Sequence, residues 1–227
     1  MNKTILVVGN SNSIHLWRWC QFLKEIGFKV DILSFFKRES NYLDYSLFEN
    51  YYDFSTSFSG LPKYIKNIIF LLKVPLNLYK LIKFRYLVRK EKYCYINYHY
   101  IGDIMTAGFI YLSPGQYILT YWRDDINIFY KSLKGLKKRF YNLVLKKSWK
   151  ITYNSLPIKD LLLKDYKALD RKKMYSIHWG VDTELFKPPS MSEKAKLRKE
   201  YDVPENSIVL LSPRSMCSNY QIKEIIV

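Results

Sequence analysis

A short strand that runs directly into a helix near the N-terminus constrains the fold of this chain most strongly. Residues Thr4–Val8 form an apolar, β-branched run, which predicts a buried strand. The run stops at Gly9, and a polar loop, Asn10–Ser13, precedes an apolar pattern of helical spacing over residues 14–23. A strand that is apolar on both faces and is followed at once by a helix is typical of a parallel sheet with helices on both sides.

The same alternation of strands and helices continues to about residue 180 and predicts an α/β fold. Later strands are predicted at Lys29–Ser34, Glu49–Phe54, Tyr93–Tyr98, Tyr117–Trp122, Lys150–Tyr153 and Met174–His178. Helices are predicted at Ile101–Leu112, at Pro157–Tyr166, and in two stretches of Pro62–Lys92 that are split at Pro75. An amphipathic helix is predicted at Lys131–Lys147, with Leu133, Leu136, Phe140, Leu143 and Val144 facing the core.

The composition of the chain changes at Gly180, which predicts a domain boundary. We expect residues 1–180 to form one domain. Residues 181–206 are expected to be a linker that two prolines stiffen and that carries a short charged helix, Ser192–Tyr201. Residues 207–227 begin with the apolar run Ser207–Ser212. They are expected to be the first strand and partial helix of a truncated second α/β domain, or to dock onto the first domain.

The charge of the chain is strongly basic and predicts an anionic partner. There are 37 Lys and Arg residues against 20 Asp and Glu residues, a net charge of +17. Nucleic acid, a phosphate-bearing substrate and an acidic membrane surface all meet that description. The sequence has no helix-turn-helix, zinc-ligand spacing or RNA-recognition motif, so we expect no nucleic-acid partner.

Two basic segments favour the membrane surface. Pro62–Lys92 holds nine Lys and Arg residues among apolar side chains, and Lys131–Lys150 holds eight with no acidic residue. Such helices suit docking on an anionic leaflet, and a solvated helix face over an ordinary core is the alternative. The chain opens without a signal peptide, and Cys20, Cys94 and Cys217 have no metal-ligand spacing. We therefore expect a cytoplasmic protein that lies peripherally at the inner face of the membrane.

The loop after the first strand falls at the carboxyl edge of the sheet, where α/β proteins bind ligands. Residues Asn10–Ser13 offer backbone N–H groups to a phosphate at the start of a helix. The alternative is a plain turn in which Ser13 caps that helix. Gly9 has no second glycine near it, so this loop does not match the fingerprint of an NAD site.

Other polar residues follow later strands and fall at the same edge. His99 ends a strand between Tyr98 and Tyr100, whose rings suit stacking on a sugar or a place in the core. Asp124 and Asp125 follow the strand that ends at Trp122. A carboxylate there could hold a substrate hydroxyl or act as a base, and the alternative is a turn or helix cap.

Four segments of the chain carry a resemblance to a known family. They are NSIHLWRW at residues 12–19, TYWRDDI at 120–126, SIHWGVDTELFKP at 176–188 and LSPR at 211–214. In this order they resemble motifs of the family-4 retaining glycosyltransferases of the GT-B type. The match implies a Rossmann-like, doubly wound parallel sheet that is the N-terminal, acceptor-side half of such an enzyme.

The resemblance also implies roles for individual residues. Asp125 is expected to be catalytic and Arg214 to bind the donor phosphate. His99 lies outside the four segments and is expected to be catalytic from its position at the end of a strand, on the ligand side of the sheet. Substrate-binding roles are expected within these segments for Asn12, Ser13, His15, Arg18, Trp122 and Asp124. Gly9 is expected to bind substrate from its position at the end of the first strand. The donor would be a nucleotide sugar and the acceptor a glycan or lipid-linked sugar, with no metal ion and no cofactor.

The chain also departs from the family pattern. Arg123 replaces the glycine of the family's WGSD motif, and Trp122 stands where many relatives have a catalytic histidine. Asn219 stands where a lysine often follows the arginine. The alternative to an active enzyme is an inactive truncated fragment, or a non-catalytic subunit of a split glycosyltransferase that binds the acceptor or the membrane.

Overall fold

The chain divides into two units, Met1–Trp179 and Gly180–Val227. The computed structural model describes residues 3–38, 44–55, 63–122, 125–167, 169–178, 180, 183–184 and 186–209. The predicted roles of residues 181–206 as a linker and of 207–227 as the start of a second domain stay predictions.

The first unit is built on a sheet in which every described strand pair is parallel. The strands are β1 (Thr4–Gly9), β2 (Lys29–Ser34), β3 (Tyr51–Asp53), β4 (Tyr95–His99), β5 (Tyr117–Tyr121), β6 (Lys150–Tyr153) and β7 (Met174–Ser176). Their spatial order is β3-β2-β1-β4-β5-β6-β7. The chain therefore winds outward in one direction from β1 and in the other from β4. This order is Rossmann-like and doubly wound, which confirms the predicted fold class, and its switch point lies between β1 and β4.

Helices lie between most of these strands, and one more belongs to the second unit. They are α1 (Ile14–Glu25), α2 (Lys63–Glu91), α3 (Ile104–Leu112), α4 (Gly135–Lys147), α5 (Leu156–Asp165) and, in the second unit, α6 (Met191–Glu200). A π-helical turn, Asp125–Tyr130, follows β5, and short 3₁₀ turns lie at Tyr45–Leu47 and Arg171–Lys173. None of the helices in the described part of the chain is long and apolar enough to cross a membrane.

Successive strand residues point to opposite faces, so the sheet carries two hydrophobic clusters. Ile5 and Val7 of β1 pack in a smaller cluster with α1. Leu6 and Val8 pack in a larger cluster, to which α2, α3, α4 and α5 contribute. Tyr98 of β4 belongs to the larger cluster and is almost fully buried, and its hydroxyl bonds to that of Ser113. The core alternative for Tyr98 is therefore confirmed, and its role as a stacking platform for sugar is wrong.

Two helix predictions need correction. The prediction of two helices split at Pro75 is wrong, because α2 continues through this proline. A proline removes one intrahelical hydrogen bond, and a helix of 29 residues keeps most of the others. The helix predicted from Lys131 instead begins at Gly135, so its phase cannot be counted from Leu133. Leu136 is consequently 80% exposed. The buried positions of α4 are Tyr141, Val144 and Leu145.

The second unit is described only in part. Ser190 and Glu193 form a reciprocal capping box at the start of α6. No strand forms in residues 207–209, and residues 210–227 lie outside the described part of the chain. The predicted strand Ser207–Ser212 therefore falls mostly on residues that the structure does not describe.

Candidate functional site

The loop between β1 and α1 is held in place by close packing and by its own polar side chains. A side chain at Gly9 would place its Cβ 3.1 Å from Leu16 Cδ1 and 3.2 Å from His99 Cβ. Glycine therefore allows α1 and the end of β4 to approach the end of β1 closely. Ser13 accepts the Leu16 N–H at 3.5 Å and so acts as the N-cap of α1.

The same loop is tied to the end of β2. The Ser11 N–H donates to Ser34 Oγ at 3.3 Å, and the Asn12 side-chain amide donates to the Lys37 carbonyl at 2.8 Å. Asn10 adds a local bond, because its Oδ1 accepts the Asn12 N–H at 3.0 Å. These bonds fix the loop beside the switch point. The substrate-binding roles of Gly9, Asn12 and Ser13 stay predictions.

A buried hydrogen-bond network fixes the orientation of His99. The indole N–H of Trp19 lies 2.8 Å from Asn97 Oδ1, and His99 Nε2 lies 2.9 Å from the same atom. An indole nitrogen only donates, so this atom of Asn97 must be the acceptor oxygen. His99 Nε2 therefore carries the proton. The Asn97 amide nitrogen donates to Thr120 Oγ1 at 2.8 Å, which links the network to β5.

The other ring nitrogen of His99 is consequently an unprotonated acceptor. Among the described residues, His99 Nδ1 has no hydrogen-bond partner, although the side chain is only 4% exposed. Burial lowers the pKa of His99 to about 3, so the ring is neutral at pH 7. A buried acceptor without a donor is costly, and such groups in native proteins call for an explanation.

Three of the predicted site residues come together above this network. The rings of His15 and Trp122 have centroids 4.9 Å apart, and those of His99 and Trp122 are 5.9 Å apart. Trp19 lies 5.7 Å from His99 by the same measure. Partial burial, and then the nearby Arg18 guanidinium, lower the pKa of His15. The ends of β1, β4 and β5 thus meet in one aromatic and histidine cluster, which we call the histidine cluster (His15, Trp19, His99 and Trp122).

Asp125 lies beneath the histidine cluster. Its carboxylate is fully buried, and both oxygens accept the Trp122 N–H, at 3.1 and 3.0 Å. These contacts fix the backbone at the end of β5 and suit a positioning role for Trp122. A catalytic role for Asp125 stays a prediction. The predicted site residues Asp124 and Arg214 lie outside the described residues.

A cavity of about 230 Å³ opens on the other side of the sheet edge, next to α3. Its walls include Phe35, Phe36, His99, Tyr100, Asp103 and Thr106. Asp103 precedes α3 and caps it, because its carboxylate accepts the Thr106 N–H at 2.8 Å and the Thr106 hydroxyl at 2.6 Å. We call this space the α3 cavity.

Sequence reasoning missed Asn97 and Phe36. The signal for Asn97 was an amide between two apolar residues within a buried strand, Tyr95–His99. Such a residue needs a partner. No group of three or more His, Cys, Asp or Glu side chains in the described parts of the chain could hold a metal ion.

Comparisons with known proteins place the chain in a family. Its residues 4–155 match the profile of the family described as "Glycosyl transferase 4-like". No match is found among curated proteins.

A solved structure shows the same fold. The chain is similar to a sucrose-phosphate synthase from Thermosynechococcus elongatus, with a TM-score of 0.50 and 12% identity over 88% of this chain and 99% of that one. A UDP-N-acetylglucosamine 2-epimerase is similar with a TM-score of 0.49 and 10% identity over 78% of this chain and 48% of that one. The family profile covers about two thirds of the 227 residues, so the chain belongs to the glycosyl transferase 4-like family.

Proposed function

We propose that this chain is the acceptor-side domain of a glycosyltransferase. It would act on a nucleotide-sugar donor and a glycan or lipid-linked acceptor at the cytoplasmic face of a membrane. The observation that carries the proposal is the meeting of His15, His99 and Trp122 at the carboxyl ends of three strands, beside the switch point. Family membership supplies the reaction class.

Glycosyl transfer places modest demands on side-chain chemistry. The bond from the anomeric carbon to the leaving diphosphate breaks, the bond to the acceptor oxygen forms, and the acceptor hydroxyl loses its proton. The protein has to orient the acceptor and to balance the charge of the diphosphate. We assign the second task to the positive N-terminal end of α1, with Arg18 nearby on the same helix. Arg214 is proposed to add a bidentate phosphate contact.

His99 is suited to orientation. The pKa of the His99 ring is about 3, which is about four pH units below neutral, so the ring is a poor base at pH 7. Its bare Nδ1 is a good acceptor for a hydroxyl hydrogen. We propose that His99 binds a substrate hydroxyl. The proton of the acceptor then passes to a carboxylate, Asp124 or Asp125, or to the leaving diphosphate. We propose no metal ion and no organic cofactor for this step.

The membrane part of the proposal rests on the exposed face of α2. Leu78, Tyr79, Ile82 and Tyr86 are between 56% and 68% exposed. At 100° per residue they lie on one face of the helix, together with the exposed side chains of Lys83, Arg89 and Lys90. Near an anionic leaflet each basic residue contributes about 1 kcal/mol. Apolar and aromatic side chains between basic ones suit shallow insertion.

Turnover of sugar nucleotides tests the enzymatic part. The complete protein is incubated with a panel of nucleoside-diphosphate sugars and anionic vesicles, and release of the nucleoside diphosphate is measured. We expect turnover, and we expect His99→Ala to reduce it by at least about 100-fold. His178→Ala, at an exposed histidine after β7, serves as the control. The proposal fails if the complete protein neither binds nor turns over any donor.

Vesicle sedimentation tests the membrane part. We expect more binding to anionic than to neutral vesicles at low salt, and a loss of binding as salt rises. Ile82→Glu should weaken binding strongly. Met191→Glu makes the same charge change at an exposed apolar residue of α6 and should change binding little. Equal recovery on both vesicle types would overturn this part alone.

A further inference from the structure

The α3 cavity presents aromatic rings to solvent. Phe36 is 44% exposed and Tyr100 is 42% exposed, and both line the cavity. Phe35 forms a fixed wall, because its ring packs against Phe109 with centroids 5.1 Å apart. Solvent-exposed rings that line a concave space suit the apolar face of a sugar ring.

The backbone of Tyr100 is held in a conformation that its side chain disfavours. Its φ is +57°, in the left-handed region that glycine and asparagine adopt more readily. The ring of Tyr100 also lies against Gly102, where an added Cβ would come within 2.9 Å of Tyr100 Cε1. Backbone strain of this kind is found at ligand clamps. Because Gly102 has no side chain, there is room for the ring of Tyr100 in this position.

The size and polarity of the cavity restrict its ligand. A volume of about 230 Å³ is below the range of about 300–1,000 Å³ that holds drug-sized ligands, so it suits a single ring better than a nucleotide sugar. No Lys or Arg lies among the described residues that line it, and Asp103 supplies a carboxylate. The chain carries a net charge of +17, so this lack of cationic lining disfavours phosphate here. Asp103 and Thr106 offer oxygen atoms to hydroxyl groups.

We propose that the α3 cavity is the subsite for one neutral pyranose ring of the acceptor, which packs on the ring of Tyr100. This inference rests on the proposed function, because it places the acceptor sugar on this side of the sheet edge. It makes Tyr100 and Phe36 the residues that select an uncharged ring, and it assigns the donor diphosphate to the opposite side, near α1. Gly102 is a positioning residue for Tyr100.

Ligand-observed NMR on the full chain tests the subsite. The probes are glucose, galactose, mannose and N-acetylglucosamine, with inorganic pyrophosphate as the charged comparison. A single ring should bind with a Kd of a few millimolar. Tyr100→Asn should weaken binding by about tenfold, and should leave the melting temperature unchanged or higher because asparagine tolerates the left-handed backbone. Gly102→Ala should also weaken binding, although it removes no atom.

Tyr201→Ala is the matched control, since it removes an exposed tyrosine that follows α6. It should leave sugar binding unchanged. The proposal is overturned if no pyranose binds saturably, if Tyr100→Asn binds as tightly as the parent, or if pyrophosphate displaces the sugar. If sugars bind through Tyr100 but no donor is turned over, the proposed function is contradicted and the subsite is retained. If Tyr100→Asn has normal turnover and an unchanged KM for the acceptor, the subsite is contradicted and the proposed function is retained.

Discussion

The two sides of the sheet's carboxyl edge use their polar groups differently. On the α1 side, Asn97 joins Trp19, His99 and Thr120 in a hydrogen-bonded network within the protein. On the α3 side, Phe36 and Tyr100 are exposed around an open cavity, and Tyr100 carries backbone strain. The comparison shows that the two sides of one sheet edge can differ. The α1 side is pre-organised when the protein folds, whereas the α3 side is open and gains contacts when a ligand binds.

Removal of the central amide should break this comparison most severely. Asn97→Leu leaves the Trp19 indole N–H and the His99 Nε2–H without their shared acceptor, whereas the Thr120 hydroxyl keeps its bond from Thr152. Each buried unsatisfied group costs about 1–3 kcal/mol, so we expect a loss of about 3–5 kcal/mol in the free energy of unfolding. Urea denaturation measures it. Gln116→Leu, at an exposed loop residue, should change stability by less than about 0.5 kcal/mol. A loss below about 1 kcal/mol for Asn97→Leu would mean that the network contributes little.

The importance of this network was not accessible from the sequence. Asn97 contacts Trp19 and Thr120, which are 78 and 23 residues away, so the bonds exist only once the sheet order is known. The period of two along β4 places Asn97 and His99 on one face and Tyr98 on the other. It does not say which of the two faces is the core, and Tyr98 was for that reason open to either reading.

The fold itself was more accessible than the site. Lys29–Ser34 and Lys150–Tyr153 are strands with the predicted bounds, because each contains apolar or β-branched residues: Val30, Ile32 and Leu33 in the first, and Ile151 and Thr152 in the second. The meeting of His15, His99 and Trp122 also follows from strand order, since the carboxyl ends of parallel strands share an edge. The exposed Leu136 was misplaced because the helix phase restarts after Lys134. Helix phase therefore depended on a local break that the apolar pattern does not show.

Low pH should reduce the free energy of unfolding through His99 on the α1 side. The pKa of this ring is about 3 when folded, and it is about 6.5 in an unfolded chain. Between these values the unfolded chain binds more protons, so stability is full above about pH 6.5 and falls as the pH drops toward 3. From pH 7 to pH 5 this amounts to about 2 kcal/mol. We expect urea denaturation of His99→Gln to give a smaller difference in the free energy of unfolding between pH 7 and pH 5 than the parent gives, by about 2 kcal/mol.

The lowered pKa of His15 acts in the same direction and is present in both proteins, so it cancels in this comparison. His178→Gln provides the matched control and should keep the full pH difference. If His99→Gln keeps the parent's difference between pH 7 and pH 5, then the buried neutral histidine is not the source of acid sensitivity.

Close packing on the α1 side should show up at Gly9. In Gly9→Ala the new methyl group would meet Leu16 Cδ1 at 3.1 Å and His99 Cβ at 3.2 Å. Overpacking of this kind costs about 1–3 kcal/mol, and we expect about 2 kcal/mol here by thermal or urea denaturation. Gly108→Ala in α3 is the matched control, because nothing lies within 4 Å of the added Cβ. It should stabilise the protein by about 0.5–1 kcal/mol. A destabilised Gly108→Ala would show that the α3 side is packed as tightly as the α1 side.

The helix caps at the two sides give the smallest expected effect and the closest like-for-like test. Ser13 caps α1 through one long bond of 3.5 Å, whereas Asp103 accepts two short bonds from Thr106 at the start of α3. The carboxylate also interacts favourably with the positive end of the helix dipole. We expect Asp103→Ala to cost about 1 kcal/mol and Ser13→Ala about 0.5 kcal/mol, as measured by urea denaturation. The α1 side would then owe its order to the Asn97 network and the α3 side to its cap. A larger loss of stability for Ser13→Ala than for Asp103→Ala would reverse that assignment, because the α1 side would then depend more on its cap than the α3 side does.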